Sequence, residues 1–197
     1  MPAQSTEQAV LAIVRKHFLH GVSLARRFQE AQLDLGLAQV LAPAQLRTEV
    51  TRRASHDKLS KLDLTVRENR GHYRQLLADF EADLGNLPSG KPTARGKSPV
   101  HQLIAIVQQR AIEQAQALRL RDEWAQAVRD LLTLIEQHAA HIQFDADGPV
   151  FEDPELVEQW ARLNDRMSQV TSRETDVAAQ HRLRMLESAQ RLDVRLA

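Results

Sequence analysis

Apolar residues recur at three- and four-residue intervals along almost the whole chain, and only three short stretches interrupt them, near residues 36–43, 85–99 and 142–151. A helix returns to the same face every 3.6 residues, so this spacing gathers the apolar side chains of each stretch into one stripe. Each stripe needs cover from another, which commits the chain to packing helix on helix. Composition points the same way. The chain is rich in Ala, Leu, Gln, Arg and Glu, which lose little side-chain freedom on a helix, while aromatics make up only 4%. The spacing predicts an all-α fold of long antiparallel helical hairpins, or a four-helix bundle with coiled-coil character. At 197 residues with 43% hydrophobic content, the chain is long enough to bury a core without staples.

The first helix is expected from about Thr6, capped by Ser5 or Thr6, to the region of Leu35. Val10, Val14, His17, Leu24 and Phe28 form one stripe, with Leu11, Phe18, Val22 and Ala25 beside it. Gly36 and Pro43 mark a corner, and Leu37 to Leu41 suits a short helix of its own. A second helix is expected from Pro43 to Gly85. Within it Leu59, Val66, Tyr73 and Phe80 share one heptad position, and Leu62, Asn69 and Leu76 share the other. An Asn in such a seam can set register. The favoured reading places Asn69 half-exposed on the rim of the bundle.

The third helix is expected from about Val100 to His141. Its seam is Val100, Ile104, Val107, Ala111 and Leu118, continued by Trp124, Val128, Leu131, Ile135, His138 and Ile142. The spacing slips between Leu118 and Trp124, as a stutter or slight kink does. Residues 142–151 alternate apolar and polar around an Asp-Gly pair, which fits either a small β-hairpin or an ordered acidic loop. A final helix starts at Asp153 as cap, with Pro154 in the first position and Glu155 in the first turn. Its stripe is Leu156, Trp160, Leu163, Met167, Val170 and Val177. A second stripe, Leu183, Leu186, Leu192 and Leu196, runs to the end of the chain.

Charge divides the chain. Lys and Arg outnumber Asp and Glu by 15 to 10 in residues 1–97, and acids outnumber bases by 16 to 11 in residues 98–197. The expected organisation is a basic hairpin over 1–84, a flexible Gly/Pro/Lys linker over 85–99 and an acidic hairpin over 100–197. The two hairpins pack either separately or as one domain. Opposite charge favours association of the halves, within one chain or between copies.

Several chemistries fail on inspection. The chain has no cysteine, which removes disulfide frameworks, thiol catalysis and Cys-based zinc sites and fits a reducing, cytoplasmic setting. The N-terminal apolar run, Ala9 to Val14, is too short for a signal peptide and has the wrong flanking charges. No stretch approaches the ~20 apolar residues of a membrane span. Gly90 to Ser98 echoes a phosphate-binding loop, but five residues rather than four separate Gly90 and Gly96, and a helix rather than a strand precedes them. Asp145, Asp147 and Gly148 echo a calcium loop. The register that suits Gly148 puts Gln143 and Pro154 where the ion needs carboxylates. His17 with His20, and His138 with His141, share i, i+3 spacing, yet no Glu-x-x-His or HExxH accompanies them. No catalytic, cofactor-binding or metal-ligating residue is expected.

What remains is contact. Trp124 and Trp160 sit on apolar stripes, as core residues or as anchors for a partner. Arg26, Arg27, Arg47, Arg52 and Arg53, with Lys58 and Lys61, make the first half basic. The favoured function is a non-enzymatic scaffold, adaptor or chaperone-like protein, self-associating and acting on protein partners through helix faces. One alternative is a nucleic-acid-associated protein using the basic first half. Another is a component or substrate of a bacterial secretion machine.

Overall fold

The computed structural model describes residues 2–87 and 99–195, with backbone alone for 2–6, 99 and 100. Most of the expected linker 85–99 therefore lies outside the described residues, as do the side chains of Ser5, Thr6 and Val100, and Leu196. The helices are α1 (Pro2–Asp34), α2 (Pro43–Leu46), α3 (Glu49–Gly85), α4 (Pro99–Gln137) and α5 (Pro154–Arg191). Single 3-10 turns at Leu37–Gln39 and Ala139–His141 follow α1 and α4. Two short strands, β1 (Ile142–Phe144) and β2 (Pro149–Phe151), pair antiparallel before α5. The fold is all-α with one small hairpin.

The hairpin follows from its turn residues. Asp145 Oδ1 accepts from the N–H groups of Asp147 at 2.8 Å and Gly148 at 3.0 Å. Gly148 takes φ +142°, a conformation that suits glycine. The carboxylate that echoed a calcium ligand is thus engaged in closing the turn. At α5 the expected cap is in place, with Glu155 N–H donating to Asp153 Oδ1 at 2.8 Å. Gly36, at φ +59°, ends α1 as expected, its N–H bonded to the Leu33 carbonyl.

Two boundaries differ from expectation. α1 begins at Pro2 rather than near Thr6. More consequentially, the expected second helix is broken after Leu46. Thr48 opens α3 by reciprocal capping: its Oγ1 accepts from Thr51 N–H at 3.2 Å, while its own N–H reaches Thr51 Oγ1 at 3.3 Å. Local side-chain bonds of this kind compete with a continuous helix. Arg52 then donates to the Leu46 carbonyl at 2.7 Å, satisfying an acceptor that the break exposes.

The chain forms two compact units. Unit 1 comprises residues 1–28, 68–117 and 177–197, and unit 2 comprises residues 29–67 and 118–176. Each unit draws on both halves of the sequence, and neither matches residues 1–84 or 100–197.

In unit 1, Val10, Val14, Phe18 and Leu24 of α1 cluster with Tyr73, Leu76, Phe80 and Leu84 of α3. Ile106 and Val107 of α4 and Ala189 with Leu192 complete that core. In unit 2 the heptad of α3 continues through Leu59, Leu62 and Val66, all buried. There α4 buries Leu118, Leu120, Ala125, Ala127, Val128, Leu131, Leu132, Leu134 and Ile135, an arc a little over half-way round the helix, and leaves Arg119, Gln126, Thr133 and Gln137 exposed on the other side. So wide an apolar arc packs against neighbours on two sides. The slip in spacing after Leu118 marks the change from a narrow seam to this wider one.

Asn69 is a correction. It is 5% exposed rather than on a rim. Its Oδ1 accepts from Gln114 Nε2 at 3.2 Å, and its Nδ2 faces the Leu24 carbonyl at 3.5 Å. The Asn therefore ties α3 to both α4 and α1 inside unit 1. The second stripe of α5 is also corrected: Leu192 is buried, but Leu183 and Leu186 are exposed.

Candidate protein-binding surfaces

The buried polar groups come first, because they decide what is left for a partner. In unit 1, Glu113 is almost fully buried, yet it accepts from Arg110 Nη1 at 3.2 Å, Gln109 Nε2 at 3.3 Å and Arg184 Nη1 at 3.3 Å. A buried carboxylate is tolerated only with such neutralisation. His181 of α5 lies in the same group. Burial pushes its imidazole below the usual range, and Arg110 and Arg184 push the same way against the pull of Glu113. Tyr73 is buried and donates its hydroxyl to the Gly21 carbonyl at 2.7 Å.

Burial raises the Tyr73 phenol to about 12. His17, also buried, donates from Nε2 to Asp83 at 2.8 Å while its ring meets Phe80 edge-on. Lys16 reaches the same carboxylate oxygen at 2.7 Å, and the bonds from Lys16 and His17 lower Asp83. His17 Nδ1 is buried and has no hydrogen-bond partner. The His–Asp pair joins α1 to α3.

The expected basic cluster is divided by the fold. Arg26 and Arg27 are exposed on α1 in unit 1, whereas Arg47, Arg52 and Arg53 lie in unit 2. Arg47 is exposed and donates to the Asp145 carbonyl of the hairpin at 2.5 Å. Arg53 is exposed. Arg52 is 6% exposed and belongs to the joint between α2 and α3, so its charge faces no partner. The paired histidines also separate: His17 is buried while His20 is exposed. Among the described residues no three His, Asp or Glu side chains are placed to hold a metal ion.

Both tryptophans are half-buried in unit 2. The Arg121 guanidinium lies over the Trp124 ring, 5.2 Å from its centroid. Arg121 also pairs with Glu174 at 3.2 Å. Burial lowers Arg121 and raises Glu174, each partly offset by the charge of the other. Trp124 thus belongs to a lock between α4 and α5.

Trp160 is different. Its ring packs on Phe151 of β2, with centroids 5.6 Å apart. Val157, one helical turn before Trp160, is exposed; Val150 is exposed as well, on the opposite face of the hairpin from Phe151. The same segment of chain carries Asp145, Asp147, Glu152, Asp153, Glu155 and Glu158, all exposed. Of these, Asp145 closes the turn, Asp153 caps α5 and Glu158 pairs with Arg162. Sequence reading placed Trp160 but missed the two valines. Their signal was a large apolar residue falling outside the stripe of its own helix or strand. Ile112 of α4, 62% exposed, was missed for the same reason.

Comparison with protein-family models, with curated proteins and with solved structures finds no match to this chain. Among the described residues no helix is long and apolar enough to cross a membrane.

Proposed function

We propose that the chain is a non-enzymatic helical scaffold or adaptor that holds a protein partner against the hairpin and the first turns of α5. The carrying observation is the half-buried Phe151–Trp160 pair with exposed Val157 one helical turn before Trp160, in a segment that holds six exposed carboxylates. Aromatic anchors inside a polar rim are the composition of binding hot spots. The carboxylates select a partner whose apolar ridge is flanked by Lys or Arg. A cytoplasmic setting suits a chain with no cysteine.

The test is capture from a lysate treated with nuclease, comparing the native chain with Val157→Glu and Trp160→Ala. A specific protein retained by the native chain and lost with Val157→Glu supports the reading. Capture that is indifferent to both substitutions, or no capture at all, sinks it. Val157 is exposed, so its substitution leaves the core intact and circular dichroism should be unchanged.

A second reading, association with nucleic acid, has one observation behind it. Among the described residues unit 1 holds 11 Lys and Arg against 8 Asp and Glu. Phosphate contacts release counterions, so such binding must weaken steeply as salt rises. Retention on DNA or RNA that ignores salt, or is absent at low salt, counts against it.

A further inference from the structure

In unit 1, α5 carries two stripes. The inner one is Val177, His181, Met185, Ser188 and Leu192, each buried or half-buried. The outer one is Ala179, Leu183, Leu186 and Gln190, all exposed. At 100° per residue the outer stripe lies on the opposite side of the helix from the inner. Leu183 is 63% exposed and Leu186 45%.

A helix that needs one seam to hold its own core has no internal use for a second. The contrast along α5 itself is sharp. The same outward side in unit 2 carries Glu158, Asp165, Ser172 and Asp176. In unit 1, α4 repeats the pattern, turning Ala105, Gln108, Ile112 and Ala115 outward at three- and four-residue spacing with no charge among them.

The outer stripe of α5 is complementary to itself. With Leu183 at heptad position a and Leu186 at d, Arg182 falls at g and Glu187 at e, and both are exposed. In a parallel two-stranded pairing the g and e residues of opposite helices meet. Arg182 of each copy would then face Glu187 of the other, twice by symmetry. Asp176 occupies the preceding a position, where two copies would set like charges together, so the seam ends there. Gln190 at the next a position is polar, the device that fixes register in such seams.

We propose that a second copy of this chain docks on this face, α5 against α5 in parallel about a two-fold axis. This deepens the scaffold reading by naming one partner. It rests on that reading only in taking exposed helix faces as the contact surfaces. The seam spans about two heptads, so the dimer is expected to be concentration-dependent.

Sedimentation equilibrium of the full chain, from about 1 μM to about 1 mM, tests it. The mass should climb from the 22.3 kDa monomer toward twice that value. Leu183→Glu with Leu186→Glu should hold the monomer at every concentration, with helicity unchanged because both positions are exposed. Arg182→Glu or Glu187→Arg alone should weaken the dimer several-fold, and the two together should restore it. The chain has no cysteine, so Gln190→Cys introduces a unique thiol. Parallel pairing brings the two copies of that thiol together, and oxidation should link them.

A mass that stays at the monomer throughout overturns the proposal. So does a dimer that survives the double Leu→Glu change, which would place the contact elsewhere. A dimer whose Gln190→Cys form does not cross-link overturns the parallel arrangement. None of these outcomes touches the Val157 capture experiment, so the two ideas fail separately.

Discussion

Tyr73 is the only tyrosine in the chain, which makes its environment directly readable. Its phenol is raised to about 12 by burial, and its hydroxyl donates to the Gly21 carbonyl. The unfolded chain loses that proton near 10. Between these values the unfolded state binds fewer protons than the folded one, so stability is complete below pH 10 and is lost as pH rises toward 12. Tyrosinate absorbance should titrate near 12 in the native protein and near 10 in strong urea. Tyr73→Phe should abolish the titration and cost about 1 kcal/mol from the missing hydrogen bond.

His181 behaves in the opposite sense. Burial depresses it, so below about pH 6.5 the unfolded chain takes up a proton that the folded chain refuses. Stability should therefore fall as pH drops through that point. Urea midpoints between pH 8 and pH 5 should decline less for His181→Gln than for the native chain. Equal slopes would show that burial does not hold His181 neutral.

The joint between α2 and α3 shows how few residues decide an element boundary. A helix read straight through from Pro43 to Gly85 would leave Thr48 and Thr51 with nothing distinctive to do. Folded, they cap one another and start α3 afresh, and Arg52 bonds back to Leu46. Ser55 closes the same corner by donating to the Val40 carbonyl at 2.9 Å. Thr48→Ala should cost about 1 kcal/mol, as lost caps do, in a urea titration. Arg52→Met should cost more than the exposed change Arg53→Met, because it leaves the Leu46 carbonyl unsatisfied. Matching losses for Arg52→Met and Arg53→Met would refute this account of the joint.

The two units differ in charge: among the described residues unit 2 holds 18 Asp and Glu against 12 Lys and Arg, while unit 1 holds 11 bases against 8 acids. Both units are built from both halves, so neither half contains a complete core. Residues 1–87 alone and residues 99–197 alone are each expected to show weak, non-cooperative helicity. Mixing them should raise the circular dichroism signal well above the sum and restore a cooperative transition. Either fragment melting cooperatively by itself would contradict the division into these units.

Period and punctuation were local properties, and they were legible in the sequence. The all-α class, the seams of α1 and α3, the Gly36 corner, the Asp153 cap and the Asp-Gly turn of the hairpin all follow from neighbours within one or two turns of chain. Periodicity says that a face is apolar, but not what covers it. Leu183 and Leu186 stand at the same kind of spacing as the buried stripes, and only the packed helices show them facing outward. Asn69 could have been a rim residue until Gln114, 45 positions away, supplied its donor. Arg52 counted as surface charge until Leu46 claimed it, and the basic residues of the first half were divided because α1 and α3 are shared between the units. Arg52 reaches back only six positions, across a helix break that periodicity does not show, while the cover of Asn69 comes from far along the chain; only the tertiary structure decided these outcomes.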